Sequence, residues 1–176
     1  MKKILYIFLI LLSFGCAKTN PEYSNKLKEA FKLQQLEYFD KALALCNEAI
    51  AIDAELPDAY RKRGEVKLSM SYNVKDENEK IKVLKDALAD IHAFEARGGD
   101  GVISTKFYIL NGLGQNKLAL NVADELISKN LEDGNAHFLR GVAMLELGNK
   151  KEAKKSFKRA QTLGEHVDGI WLKDVE

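Results

Sequence analysis

The sequence of 176 residues has few of the residues that mark several common classes of protein. It contains two cysteines, Cys16 and Cys46, too few for a small fold held together by disulfides. Its 27 Lys and Arg residues are nearly balanced by 26 Asp and Glu residues, without the basic patch that binds nucleic-acid phosphates. We therefore expect no nucleic-acid partner. With only two prolines, Pro21 and Pro57, helices can continue through most of the chain.

A long apolar run is also missing. Every residue from Ile4 to Leu12 is apolar, but this run is far short of the roughly 20 residues that a helix needs to span a bilayer. Lys2 and Lys3 precede it, and the small residues Ser13 and Gly15 come at its end. A charged start, an apolar middle and a small-residue end are the three parts of a secretory signal peptide. We therefore predict that residues 1–15 are a signal peptide that is removed.

The next feature is Cys16, because the residues before it resemble the lipobox of a bacterial lipoprotein. The residues that fit this motif are Leu12, Ser13, Gly15 and Cys16. The match departs from the usual pattern at Phe14, where a small residue is preferred, and the leucine comes one place early. The resemblance implies a lipid on Cys16, a membrane reached through it and a tether over residues 16–22. It also implies a place in the bacterial cell envelope, with the periplasmic face of the outer membrane preferred and surface exposure as an alternative.

A second interpretation of the same segment leaves the lipid out. In that case the protein is exported without an anchor and acts as an accessory subunit or chaperone of an enzyme or secretion complex. If Cys16 carries lipid, Cys46 has no disulfide partner, and a single free cysteine in an exported protein is best kept buried and unreactive.

Apolar residues beyond the N-terminal segment recur with helical spacing. From Phe39 to Ile52 they mostly lie at i, i+3, i+4 and i+7, the pattern of a helix with one buried face, and Cys46 lies on that face. Most glycines fall between such runs, so that short turns separate the helices. The sequence therefore predicts an all-α protein built from antiparallel helical hairpins.

The chain also repeats itself, with matching residues 34 positions apart. The aligned residues are Leu113-Gly114 with Leu147-Gly148 and Ala119 with Ala153. With glycine and alanine at these places, the repeats resemble those of the tetratricopeptide repeat (TPR) family. The copy that starts at Gly134 resembles the family pattern best. The resemblance implies a right-handed superhelix of about four TPR-like helix-turn-helix hairpins with a C-terminal capping helix.

We divide the predicted array, residues 23–163, into four repeats followed by a cap. The repeats cover residues 23–56, 57–99, 100–133 and 134–163, and the cap covers residues 164–176. In the second repeat a polar insertion delays the second helix, and we expect its DENE stretch, residues 76–79, to be a mobile loop. In the cap, Val167, Ile170 and Trp171 are predicted to face the last hairpin.

The small residues of the repeats imply that helices approach each other closely. Gly64 and Gly141 are expected where the first helix of a hairpin meets Ala87 or Ala153 of the second helix. A larger residue would overpack such a contact and destabilise the fold by about 1–3 kcal/mol.

Residues with catalytic or metal-binding chemistry form no recognisable motif in the sequence. His92, His137 and His166 lie in different units and lack the spacing of metal ligands. Neither a Gly-x-Ser-x-Gly nucleophile motif nor a phosphate-binding P-loop occurs. The GGDG stretch at residues 98–101 has a single carboxylate and is predicted to be a turn. We therefore expect no metal, no cofactor, no small-molecule substrate and no enzymatic activity.

The TPR resemblance also implies a concave groove, lined by fixed positions of each first helix, in which a protein or peptide partner binds. The groove residues that we carry over are Phe31, Arg61, Glu65, Leu68, Tyr108, Asn111, Phe138 and Val142. The Lys and Asn clamp with which some TPR proteins hold a C-terminal carboxylate is absent, because Glu65 stands where Asn would be needed. We therefore favour an extended or helical segment with apolar side chains over an acidic tail.

Overall fold

A computed structural model describes residues 20–175, and within this range the chain forms nine α-helices and no β-strand. In chain order they are α1 Pro21–Gln35, α2 Phe39–Ile52, α3 Asp58–Ser71, α4 Glu77–Ala96, α5 Ile103–Gly112, α6 Asn116–Lys129, α7 Gly134–Glu146, α8 Lys150–Thr162 and α9 Gly169–Lys173. The predicted signal peptide, the lipobox and Cys16 lie outside the described residues.

Consecutive helices pack in pairs. The hairpins are α1 with α2, α3 with α4, α5 with α6, and α7 with α8. Neighbouring hairpins meet through α2 and α3, α4 and α5, and α6 and α7, and the junction of α4 with α5 is the least extensive of the three. The predicted all-α fold of four stacked hairpins is confirmed.

Short polar side chains start several of the helices. The Asn20 side chain accepts a hydrogen bond from the backbone N–H of Glu22 at 2.9 Å, and Pro21 occupies the first helical turn. The Asp133 carboxylate accepts from the backbone N–H of Ala136 at 3.0 Å. These side chains provide partners for N–H groups that have none inside the helix.

The DENE stretch is not the mobile loop that we expected. Asp76 caps α4, its carboxylate accepting from the backbone N–H of Glu79 at 2.8 Å, and Glu77 lies in the first helical turn. Carboxylates at this end of a helix are favoured by the helix dipole. The polar insertion therefore lengthens α4, which runs for 20 residues, and the connection from α3 is limited to residues 72–76.

Glycines mark the closest contacts inside two hairpins. A Cβ on Gly64 would lie 3.2 Å from the carbonyl oxygen of Ala87 and 3.0 Å from Cδ1 of Ile91. The expected contact with Ala87 is therefore present. At Gly141 a Cβ would overlap the ring of Phe157, so this ring is the nearest neighbour rather than Ala153.

A buried carboxylate ties α3 to α4. Asp90 is 3% exposed, and its oxygens accept hydrogen bonds from Arg63 Nε at 3.0 Å, from Arg63 Nη2 and from Lys67 Nζ at 2.7 Å. Arg63 Nη1 also donates to Asn47 Oδ1 of α2 at 2.7 Å. Two cations thus compensate one buried anion, and the network joins the first hairpin to the second.

The C-terminal segment covers the last hairpin. Val167 and Val175 are buried, and the Trp171 ring lies 5.9 Å from the ring of Phe138 and 6.1 Å from that of Phe157, measured between centroids. The prediction for Ile170 was wrong. Its side chain is 65% exposed, because the short helix α9 turns it toward solvent when Trp171 faces inward.

Candidate interaction groove

The first helices α1 and α3 lie side by side and point in the same direction. Near their N-termini the Tyr23 hydroxyl accepts a hydrogen bond from the backbone N–H of Ala59 at 2.9 Å. Near their C-termini Gln34 Nε2 donates to Ser69 Oγ at 2.8 Å. Residue numbers therefore rise together along both helices. We call the surface between them, from Leu27 and Arg61 to their C-terminal ends, the α1–α3 valley.

Phe31 is the apolar centre of this valley. Its side chain is 50% exposed, and Lys62 Nζ lies 4.8 Å from the centre of its ring, close enough for a cation–π contact. The surrounding open groove has a volume of about 470 Å³. It is lined by Leu27, Lys28, Phe31, Lys32, Arg61 and Lys62.

Arg61 and Glu65, both predicted groove residues, form an ion pair within α3. Arg61 Nη1 lies 3.2 Å from Glu65 Oε1, and its Nη2 lies 3.3 Å from Asp58 Oδ1. Lys62 Nζ contacts the second Glu65 oxygen at 2.5 Å. Glu65 therefore compensates two cations of the valley and keeps their side chains beside Phe31.

Lys28 and Lys32, which were not among the predicted groove residues, complete the groove. Both are exposed, and neither has an ion pair within residues 20–175. They lie four residues apart on α1, so the i, i+4 spacing on either side of Phe31 is the signal that could have identified them.

Tyr108, Asn111 and Leu68 differ in their exposure to solvent. Tyr108 is 40% exposed, and partial burial raises the pKa of its hydroxyl, with a further contribution from the charge of Glu165. Asn111 Oδ1 is buried and accepts no hydrogen bond from the described residues. Leu68 is half-buried against the core of the second hairpin. Only Tyr108 offers a large side chain to a partner here.

Phe138 and Val142, predicted to line the groove, belong to the core of the last hairpin. Val142 is 6% exposed. Phe138 packs against Phe157 and Trp171, so the C-terminal segment occupies the space in which a partner was expected. The structure therefore limits the open part of the predicted groove to α1, α3 and α5.

The other features that could give residues 20–175 a function are metal ligands, membrane-spanning helices and reactive thiols. No group of three or more His, Cys, Asp and Glu side chains there could hold a metal ion, and none of the helices described is long and apolar enough to cross a bilayer. Cys46 is fully buried, and burial raises the pKa of its thiol to about 11. This thiol therefore stays protonated, and hence a poor nucleophile, at neutral pH.

The chain matches no protein-family model and no curated protein. It does resemble solved structures. YrrB, described as a TPR protein with an unusual peptide-binding site, is 24% identical, with a TM-score of 0.60 over 78% of this chain and 66% of YrrB. MamA from Desulfovibrio magneticus RS-1 is 16% identical, with a TM-score of 0.60 over 82% of this chain and 77% of MamA.

A further crystal structure of MamA is 18% identical, with a TM-score of 0.57 over 81% of this chain and 78% of that one. At these identities the similarity concerns the fold. The chain therefore has a TPR-like fold, in agreement with the repeat found in its sequence.

Proposed function

We propose that this protein is an interaction scaffold, which binds a segment of another protein in the open groove formed by α1, α3 and α5. The observation that carries this proposal is the exposure of Phe31 within a ring of cationic side chains. An aromatic side chain that is half exposed in a concave site is a typical anchor for a partner. We further propose that the scaffold is a lipoprotein, anchored in the bacterial cell envelope through Cys16.

Two findings support the scaffold. The fold is TPR-like, and YrrB, which shares it, is described as having a peptide-binding site. The groove has a volume of about 470 Å³ and is open to solvent, so that a chain segment can reach it.

Photo-crosslinking in cells tests the scaffold. A photo-reactive amino acid is placed at Phe31 or Tyr108, and for comparison at Lys151, which is exposed on α8. We expect one discrete protein adduct from the two groove positions and none from Lys151, with the adduct identified by mass spectrometry. The same adducts from all three positions, or none from the groove, would contradict the proposal.

Metabolic labelling tests the anchor. Labelled palmitate should be incorporated into the wild type and lost in Cys16→Ser, and the variant should leave the membrane fraction. Unlabelled wild-type protein that is still exported would instead favour the accessory subunit or chaperone without lipid. The groove test and the lipid test are independent, so either half of the proposal can fail alone.

A further inference from the structure

The side chains that line the α1–α3 valley differ from one end of it to the other. Beyond Phe31, at the C-terminal ends of both helices, it opens into a second pocket of about 290 Å³ with a mainly polar lining. The polar side chains of this pocket include Gln34, Glu37, Ser69, Tyr72 and Asn73. Since α3 rises about 1.5 Å per residue, the distance from Arg61 to Tyr72 is about 16 Å, enough for several residues of a bound segment.

Hydrogen-bond acceptors are concentrated in this second pocket. Gln34 Oε1 is buried and has no hydrogen-bond partner within residues 20–175. Glu37 is exposed, and one of its carboxylate oxygens accepts from Asn73 Nδ2 at 3.2 Å, leaving the other free of hydrogen bonds to the described residues. The C-terminal ends of α1 and α3, where the helix dipoles are negative, lie here as well. A donor-rich, positively charged group fits this pocket best.

Glu37 is held there by an unusual backbone conformation. Its φ is +60°, and it is the one non-glycine residue with positive φ among those described. Gly114 and Gly148 occupy the same place in the third and fourth hairpins, each directly after a leucine. A side chain at this position is strained, so the sequence places a carboxylate where glycine would be the relaxed choice.

The other half of the valley has the opposite charge. Arg61 and Lys62 are compensated by Glu65, but Lys28 and Lys32 are not paired with any described residue. Phe31 lies within this basic half, between Lys28 and Lys32 along α1, and offers an apolar contact there. The valley therefore has cations around an apolar side chain at one end and hydrogen-bond acceptors at the other end.

We propose that the valley binds a partner segment in one orientation. Carboxylates of the partner lie over Lys28 and Lys32, an apolar side chain packs on Phe31, and a lysine or arginine enters the pocket at Glu37. This inference rests on the proposed function, since it names the chemistry of the segment that the groove binds. Complementary charges along a groove fix the direction of a bound chain more than they raise its affinity.

The first test uses synthetic peptides and fluorescence anisotropy with the full chain. One peptide has glutamates at one end, leucines in the middle and an arginine at the other end, and its matched control has glutamine in place of every charged residue. We expect the charged peptide to bind about tenfold more tightly at low salt. Lys28→Glu combined with Lys32→Glu should remove this advantage, whereas Lys150→Glu with Lys151→Glu on α8 should not.

The second test determines the orientation. A photo-reactive group beside the glutamates should crosslink to α1 around Lys28, and one beside the arginine should crosslink to residues 35–39. Glu37→Gln should weaken the binding of the charged peptide by about threefold and leave the affinity for the glutamine peptide unchanged. Circular dichroism melts show whether each variant is folded.

Three outcomes overturn the proposal: equal affinity for the two peptides, no measurable binding of the charged peptide, or identical crosslinks from both ends. The proposed function is judged separately. If the glutamine peptide binds as tightly as the charged one and Phe31→Ala weakens both, the groove is a binding site and only its charge specificity is wrong.

Discussion

The two ends of the first-helix surface differ in what covers equivalent positions. Phe31, on α1, is 50% exposed, whereas its repeat equivalent on α7, Val142, is 6% exposed, and the neighbouring Phe138 packs against Trp171 of the C-terminal segment. Phe31 and Val142 were both predicted to line one groove, because the repeat gives them the same place in their units. The difference shows that a repeat position predicts where a side chain points, but not whether another part of the chain covers it.

The two ends are also held together by different interactions. At the open end the Asp90 network joins α2, α3 and α4 through Asn47, Arg63 and Lys67, which lie on other sides of these helices than the valley. At the closed end Phe138 itself takes part in an aromatic cluster with Phe157. Stabilisation away from the groove leaves Phe31 free for a partner, and stabilisation within it does not.

The largest effect is expected from breaking the network at the open end. Asp90→Ala leaves Arg63 and Lys67 without their common anion, and we expect a loss of about 3 kcal/mol in the free energy of unfolding. Urea denaturation followed by circular dichroism measures this loss. Asp86→Ala, an exposed position on the same helix, is the control and should change stability by less than about 0.5 kcal/mol. Similar losses in the two variants would show that the network is not what holds this end.

Removing the aromatic cover should have the next largest effect. Trp171→Ala removes a ring that packs against both Phe138 and Phe157, and we expect a loss of about 2–3 kcal/mol in the free energy of unfolding because Trp171 is only partly buried. Ile170→Ala, next to it but 65% exposed, should be nearly neutral. If the cap closes the groove, the photo-crosslinking amino acid placed at Phe138 should gain partner adducts only in the Trp171→Ala background.

The cores at the two ends differ in their response to pH. Cys46 occupies in the first hairpin the repeat position that Phe157 occupies in the fourth. Burial raises the pKa of its thiol to about 11, from 9.0 for an exposed thiol. Between these pH values the unfolded chain releases the thiol proton and the folded chain keeps it. The thiol's contribution to stability is therefore complete below pH 9 and is lost as the pH rises to 11, by about 2 kcal/mol.

Comparison with Cys46→Ala isolates this effect, because lysines and tyrosines that titrate in the same range are common to both proteins. The wild type should lose stability more steeply than the variant above pH 9, and parallel curves would contradict the assignment. Denaturation at a series of pH values measures both.

The fold could be predicted from the sequence because its signals are local and repeated. Residue spacing predicted the helices, and the recurrence of Leu113-Gly114 as Leu147-Gly148 predicted the hairpins. The beginning of α4 was missed because DENE is polar, and composition alone does not distinguish a loop from a capped first turn such as that of Asp76.

The site was predicted less completely, for two physical reasons. The cover over Phe138 and Val142 comes from residues with no repeat counterpart, so their burial is a long-range contact without a periodic signal. Lys28 and Lys32 were missed because exposed lysines are common, and only the structure shows that these two border the ring of Phe31.

Replacing the glycines at the closest helix contacts should change stability less than the substitutions above, and by different amounts at the two ends. In a helix, alanine is favoured over glycine by about 1 kcal/mol, which offsets part of any clash. At Gly141 the new Cβ meets the ring of Phe157, which packs against the rings of Phe138 and Trp171, and we expect a net loss of about 1–2 kcal/mol.

At Gly64 the same change meets the end of the flexible Ile91 side chain at 3.0 Å and the carbonyl oxygen of Ala87 at 3.2 Å. Neither contact is an overlap, and the helix preference of alanine offsets them, so Gly64→Ala should lose less than about 0.5 kcal/mol. Urea denaturation of the two variants measures the difference. An equal loss at both positions would mean that the second hairpin is packed as rigidly as the fourth.

The smallest expected effect concerns the turn at the open end, where Glu37 has a φ of +60° and Gly148 a φ of +76° at the corresponding turn of the closed end. Glu37→Gly should relieve the strain of a side chain in the left-handed region, at the loss of one exposed hydrogen bond from Asn73. Because glycine also makes the unfolded chain more flexible, we expect a net gain of only about 0.5–1 kcal/mol. Gly148→Ala should lose about 1 kcal/mol in the same urea assay. A Glu37→Gly variant that is more stable but binds the charged peptide less tightly would indicate that the strained turn is retained for binding, since stability alone favours glycine at both ends.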